Sequence, residues 1–286
     1  MNKNSQSLLL GFLAIGCWSS LATLGNLVIH LPPFYVLGFS FLTGSLFALR
    51  KPKEMFLDLK TTLWGTLGYY GYHFLLFYSF RFAPAIEANL INYLWPMLMV
   101  LLTPLFFPKT KLKYHHFIGA FLAIAGCIVL VLGKGGHFQL QNLKGYLLAL
   151  GAAITWPVYS LGKKRMGHSS VWSVGGFCFI TALLCFLTHF FLEPRVVLQS
   201  HDALILLLMG LGPFGLAFYA WDFSLQKGNP QLIGALSYLT PVLSTSGLLF
   251  FTDQIMTLPT ALAMILIIGG SSSGLLDFLP SKDLVK

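Results

Sequence analysis

Charge is what this chain has least of. Its 286 residues include 18 Lys and Arg and 9 Asp and Glu, 9% in all, against 56% hydrophobic and 15% aromatic. A soluble domain is roughly 25% charged. So few charges cannot cover a water-facing surface of this size. That excludes a soluble enzyme, a nucleic-acid binder and a disordered chain. Chemistry-bearing motifs are missing as well. Cys17, Cys127, Cys178 and Cys185 lie in apolar stretches with no CxxC or Cys/His ligand spacing, and read as small apolar residues. There is no Walker loop for ATP and no HExxH. No cofactor and no metal site is expected, and no membrane-embedded protease has its constellation.

Long apolar runs take the place of these motifs. A spanning helix needs about 20 mostly apolar residues. Runs of that kind lie near 8–29, 33–50, 61–81, 85–107, 114–132, 145–164, 170–192, 204–226, 230–252 and 256–276. Outer-membrane barrel strands are half as long and alternate in polarity, which these runs do not. The first run is too long for the apolar core of a signal peptide and serves as its own insertion signal. The sequence therefore predicts an all-α integral membrane protein of ten spans with short connections.

The cations fix an orientation. Fourteen fall on one set of segments: Lys3, Arg50, Lys51, Lys53, Lys60, Lys109, Lys111, Lys113, Lys163, Lys164, Arg165, Lys227, Lys282 and Lys286. Four fall on the other: Arg81, Lys134, Lys144 and Arg195. By the positive-inside rule both termini are expected in the cytoplasm. The net charge of +9 is then an orientation signal rather than a nucleic-acid footprint.

The chain also repeats itself. Tyr93-Leu94-Trp95-Pro96 recurs 145 residues later as Tyr238-Leu239-Thr240-Pro241. Two repeats of five spans each, 1–137 and 138–286, must enter the membrane from opposite sides because five is odd. Inverted repeats of this kind enclose a midplane substrate site in secondary transporters. Pro84-Ala85-Ile86-Glu87, Asn92 to Pro96 and Ser237 to Ser244 resemble the drug/metabolite transporter superfamily, in its ten-helix EamA-type branch. The chain looks most like bacterial aromatic amino acid exporters. Asp253, ahead of Leu258-Pro259, stands where the family usually has an acid before its last helix; Pro108-Lys109-Thr110 replaces that acid in the first repeat. The resemblance implies a ten-helix transporter around a central cavity.

Several residues are candidates for that cavity. On the fourth span Asn89, Asn92, Tyr93 and Pro96 follow one helical stripe, with Trp95 beside them; on the ninth, Gly234, Ser237, Tyr238 and Pro241 form the counterpart. Each proline frees a carbonyl, that of Asn92 or Ser237, which in lipid must find a partner or a wet cavity. Pro96 and Pro241 are therefore expected as hinges. Kinked packing helices with polar contacts are the alternative. His73 lies mid-span, where an ionisable residue is by default a functional candidate. Tyr78, Trp156 and Tyr159 complete the expected lining, with Pro157 as a further break. Trp18 is read as apolar packing. Glu87 and Asp222 are the in-span acids and the candidates for energy coupling; Glu87 also suits a helix N-terminus, and Asp222 is placed near Lys227 or water. Gly270-Ser271-Ser272-Ser273-Gly274 is expected to pack against Gly119 and Gly126.

These features point to a monomeric, non-ATP transporter in a bacterial inner membrane, exporting amino acids, aromatic or neutral ones first. Aromatic rings would stack on the substrate and attract its ammonium. A nucleoside, S-adenosylmethionine or a drug is the alternative cargo. A membrane-embedded enzyme or receptor is the alternative class.

Overall fold

The computed structural model describes residues 3–56, 58–133, 139–167, 170–251 and 256–273. Among these residues every regular element is helical. In chain order they are α1 (Lys3–Ser19), α2 (Leu21–Leu27), α3 (Pro33–Ser45), α4 (Leu59–Ser79), α5 (Ala85–Asn92), α6 (Trp95–Phe106) and α7 (Tyr114–Leu132). The second half adds α8 (Leu143–Met166), α9 (Ser173–Leu192), α10 (Ser200–Leu211), α11 (Ala217–Lys227), α12 (Pro230–Leu236), α13 (Leu239–Phe251) and α14 (Leu258–Ser273). Four helical stretches, Ser5–Leu27, Pro33–Arg50, Ser173–Leu192 and Ser200–Lys227, are long and apolar enough to cross a membrane. Large apolar side chains such as Leu67, Phe121, Phe190 and Phe191 face outward. A contiguous apolar exterior of this kind belongs in lipid.

Local chemistry sets the helix ends. Asp58 caps α4 by accepting from the Thr61 amide at 2.8 Å. Asn229 caps α12 through the Gln231 amide at 2.8 Å, with Pro230 pre-set at the first helical position. The glutamine side chain of Gln199 and the Asp202 carboxylate form a reciprocal capping box at the start of α10. Gly167, at φ +80°, ends α8 in a conformation that favours glycine.

The helices pair in a regular scheme. α1 lies along α11, and α4 along α8; α3 packs on α9, α6 on α12, and α7 on α14. The last pairing is very close. A β-carbon on Gly270 would come within 2.5 Å of the Gly119 carbonyl, and one on Gly126 within 2.8 Å of the Ala263 carbonyl. This is the small-residue contact expected of the Gly270 segment, whose far end at Gly274 lies outside the described residues.

Connections gather at two ends of the bundle. At one end, which carries Lys3, Ser7 Oγ donates to the Ser224 carbonyl and Lys164 Nζ to the Gly228 carbonyl, both at 2.9 Å. At the other, Arg81 donates to the Leu192 carbonyl at 2.7 Å and the Phe34 amide donates to Glu193 at 3.0 Å. Lys134, Asp253, Lys282, Lys286 and the 137/138 boundary lie outside the described residues.

Three features depart from expectation. Pro96 and Pro241 do not bend continuous helices. Each stands in the first turn of a new helix, after an interruption at 93–94 or 237–238, because proline is well tolerated where amides have no helical partner. The carbonyl of Ser237 accepts from the Thr240 amide at 3.0 Å. Pro157 does not break α8, which runs on through it. A π-turn over 212–216, opened by Gly212-Pro213, separates α10 from α11 instead.

Candidate functional site

The helix interruptions surround a cavity of about 600 Å³. It begins among Ile29, Leu31, Pro33, Phe77 and Phe80, at the end opposite Lys3. It stops midway at an aromatic floor. Trp18, Trp95, Trp156 and Phe218 reach its wall. The Trp18 and Trp156 rings meet edge to face at 5.8 Å, and Trp156 and Phe218 lie 5.5 Å apart. Trp18 is aimed by its indole N–H, which donates to the Pro213 carbonyl in the π-turn at 3.2 Å. Below the floor, Trp221, Tyr69 and Tyr159 are wholly buried or nearly so.

Polar atoms interrupt the aromatic wall at few places. His73 Nδ1 lies 2.7 Å from the Tyr69 carbonyl. A carbonyl only accepts, so Nδ1 carries the hydrogen and a neutral ring offers Nε2 as an acceptor. Asn92 Nδ2 donates to the Tyr72 hydroxyl at 3.1 Å, while its buried Oδ1 has no partner. Thr240 Oγ1 is likewise buried and unpartnered. Asn89 and Ser244 add further polar groups. Leaving a buried acceptor unmade costs about 1–3 kcal/mol. Asn92 and Thr240 thus bring two buried polar atoms with unused hydrogen-bonding capacity to the cavity wall.

Of the residues singled out in the sequence, His73, Asn89, Asn92, Tyr93, Trp95 and Trp156 line this cavity. Four others do not. Tyr78 stacks on Phe74 at 5.2 Å with Arg81 over its ring. Tyr159 lies beneath the floor, 5.3 Å from Trp156. Ser237 spends its hydroxyl on the Ile233 carbonyl at 2.8 Å. Tyr238 packs with Ala123, Cys127 and Ile267, toward α7 and α14. One turn on, Thr240 and Ser244 supply the cavity face of this span. Trp18 is part of the wall rather than packing alone; its mid-span position, away from the interfacial belts, is the sequence signal for it.

The two acids also have definite partners. Glu87, 4% exposed, accepts from the Tyr146 hydroxyl at 2.6 Å. Asp222 is not matched by Lys227, whose ammonium lies over the Phe223 ring. It pairs with Lys163 at 2.7 Å and accepts from Gln226 Nε2 at 2.8 Å. Lys163 is only 3% exposed. It belongs to the interior, although its neighbours in sequence mark it as a loop cation. The pair lies on the far side of the aromatic floor from the cavity, so that end of the bundle is sealed.

An apolar-coated helical bundle around a half-depth cavity is the architecture of a membrane protein and suits one of the transporter class. The chain belongs to the EamA-like transporter family, whose sequence profile matches residues 5–132 and 143–273. It is similar to the aromatic amino acid exporter YddG of Ancylobacter novellus, 35% identical over 285 residues, which covers 94% of this chain and 97% of that protein. The exporter of the same name from Escherichia coli is 29% identical over 64% of this chain and 65% of its own length. A solved crystal structure, 34% identical, superposes with a TM-score of 0.91 over 99% of this chain and 100% of that one.

Proposed function

We propose that this protein is a secondary exporter of amino acids, aromatic ones preferred, working by alternating access in a bacterial inner membrane with both termini cytoplasmic. The observation that carries this reading is the floor: indole and phenyl rings beside the unpartnered polar atoms of Asn92 and Thr240. The rings suit an aromatic side chain. Asn92 Oδ1 and neutral His73 Nε2 are acceptors for an ammonium, and the Thr240 hydroxyl and Asn89 amide are donors for a carboxylate. In this assignment Trp18, Tyr93, Trp95 and Trp156 bind the side chain. The names of the similar exporters support the same cargo.

Ten spans in two inverted repeats, 1–137 and 138–286, give the alternating mechanism. The helix pairings support this arrangement. Exchanging spans one to five with spans six to ten turns the α1–α11 pairing into α8–α4 and maps each of the other three onto itself. The cavity, open toward one end and sealed at the other, is then one of two alternate states. Pro96 and Pro241 open the moving halves of their spans and act as hinges. Glu87 and Asp222, the two candidate coupling acids, each have a protein partner. That supports passage down a gradient without obligatory proton exchange.

Purified protein in liposomes tests the reading. Radiolabelled phenylalanine should move down its gradient chemically unchanged, with tryptophan and tyrosine competing more strongly than nucleosides or S-adenosylmethionine. No protein-dependent flux of any aromatic amino acid, or competition by a nucleoside alone, would overturn it.

A further inference from the structure

Three side chains meet at the cavity's open end, brought together from positions 171 residues apart. His30 stands in the turn after α2; His201 and Asp202 form the first turn of α10. One ligand atom from each lies within 4.8 Å of the other two. Asp202 is fully buried, whereas the His30 and His201 side chains are 45% and 61% exposed. The cluster is thus anchored from beneath and reachable from the water.

The carboxylate's two oxygens are used differently. Oδ2 accepts from the Gln199 amide at 3.0 Å, which fixes the plane of the group. It also accepts a hydrogen bond from His30 Nε2 at 3.3 Å. Oδ1 lies 3.3 Å from His30 Nε2 and 3.0 Å from His201 Nε2, yet is in hydrogen-bond alignment with neither ring. A helix cap needs only the Gln199 amide; here two imidazoles converge on the same carboxylate as well, so that three side chains bring their ligand atoms to one place. Zinc-like ions bind histidine nitrogen at about 2.0–2.1 Å and carboxylate oxygen at about 2.0–2.2 Å, with tetrahedral geometry. Ligand atoms around such an ion stand roughly 3.3 Å apart by that geometry. The spacings between the carboxylate and both nitrogens are of that size.

The geometry points to a binding site for a divalent transition-metal ion, with His30, His201 and Asp202 as its three protein ligands and a fourth position open to water. Two imidazoles and one carboxylate select zinc-class ions. Calcium and magnesium require more oxygens than this cluster offers. The Gln199 amide plays the outer role usual at such sites, orienting a ligating carboxylate. The ion ties the end of the first span, in the first family-profile match, to the start of α10, in the second. Leu31 and Pro33, beside His30, line the cavity's mouth. Occupancy would therefore restrain the two halves against each other where the cavity opens.

The test is zinc binding by the full chain, purified in detergent with an affinity tag that contains no histidine. Equilibrium dialysis against radioactive zinc, with excess magnesium present, should give one ion per chain. His30→Ala and His201→Ala should each weaken binding about tenfold or more, and the double variant should lose it. Both side chains are largely exposed, so the variants should retain wild-type elution and melting behaviour, which gel filtration and thermal unfolding check. Equal zinc affinity in wild type and a folded double variant would overturn the proposal. So would a wild-type protein that binds no zinc in molar excess of the metal. Neither result bears on amino acid flux, which is measured separately.

Discussion

The two ends of the cavity are built from different materials. Its open end has walls of Leu31, Pro33, Phe77 and Phe80, and the histidine–carboxylate cluster beside it, His30 and His201 on Asp202, leaves both imidazoles exposed to water. Its sealed end stacks Trp18, Trp156, Phe218 and Trp221, and behind them buries Lys163 against Asp222. The contrast teaches how a closed end can be firm and still release. Apolar surfaces alone would stay shut, because water must be readmitted to them at full cost. A buried ion pair is close to energetic balance, since desolvation offsets much of its attraction. In the proposed alternating-access cycle, opening of that end would return both ions to hydration. The pair therefore specifies the closed geometry without locking it.

The largest effect should come from splitting that pair. Asp222→Ala leaves Lys163 buried and uncompensated, and should destabilise the protein by about 3–5 kcal/mol, read as a lower melting temperature in detergent. Replacing both members, Lys163→Met with Asp222→Leu, should restore most of that stability. The double variant should nevertheless transport slowly, because its apolar seal gains nothing from water. Stable protein with undiminished flux would break the comparison between a latched end and an open one.

Next in size is the floor against the rim. An aromatic contact contributes about 0.5–1.5 kcal/mol beyond its burial, roughly twofold to tenfold in affinity. Trp156→Ala and Trp18→Ala should each weaken phenylalanine binding by at least that factor in a scintillation proximity assay. Phe80→Ala, at the rim, should leave it within twofold. Equal losses at floor and rim would remove the floor as the binding surface.

The matched spans refine this further, and show what the sequence could and could not disclose. Runs of apolar residues marked where α1 to α14 lie, since lipid demands such runs whatever the tertiary contacts. The Tyr93 and Tyr238 motifs marked both interruptions. They did not reveal that both tyrosines pack on the Cys127 cluster and that, of the two, Tyr93 also reaches the cavity. Helical periodicity identifies residues that share a face, not the neighbour that face meets. An interruption at 237–238 also shifts the phase of everything after it, so Thr240 and Ser244 replace Ser237 and Tyr238 on the wall. Lys163 and Asp222, 59 residues apart, carry no local signal of their pairing. Thr240→Val, which removes an unpartnered cavity hydroxyl, should weaken binding by about 0.5–1.5 kcal/mol. Tyr238→Phe should change it by less than twofold. The reverse order, in the same assay, would return the site to the in-register stripe.

The smallest effect concerns the interruptions themselves, and it asks whether the two ends move separately. α5 leads from the open end to the break at 93–94, and α6 continues to the sealed end. α12 leads from the sealed end to the break at 237–238, and α13 continues to the open end. Each proline thus begins the half-helix that the proposed alternating access would reorient. A residue restricted to one backbone conformation biases an equilibrium by about 0.4–1 kcal/mol relative to alanine, or roughly twofold to fivefold in a population or rate. Alanine would also supply the amide that lets a helix grow across the break and stiffen it. Pro96→Ala and Pro241→Ala should therefore each slow phenylalanine flux by that modest factor. Binding should stay within twofold, because neither ring is part of the cavity wall. Flux and binding measured on the same preparations separate the outcomes. Normal flux in both variants would show that the breaks are static features of packing. A loss of binding that matches the loss of flux would place the prolines in the site instead of at its hinges.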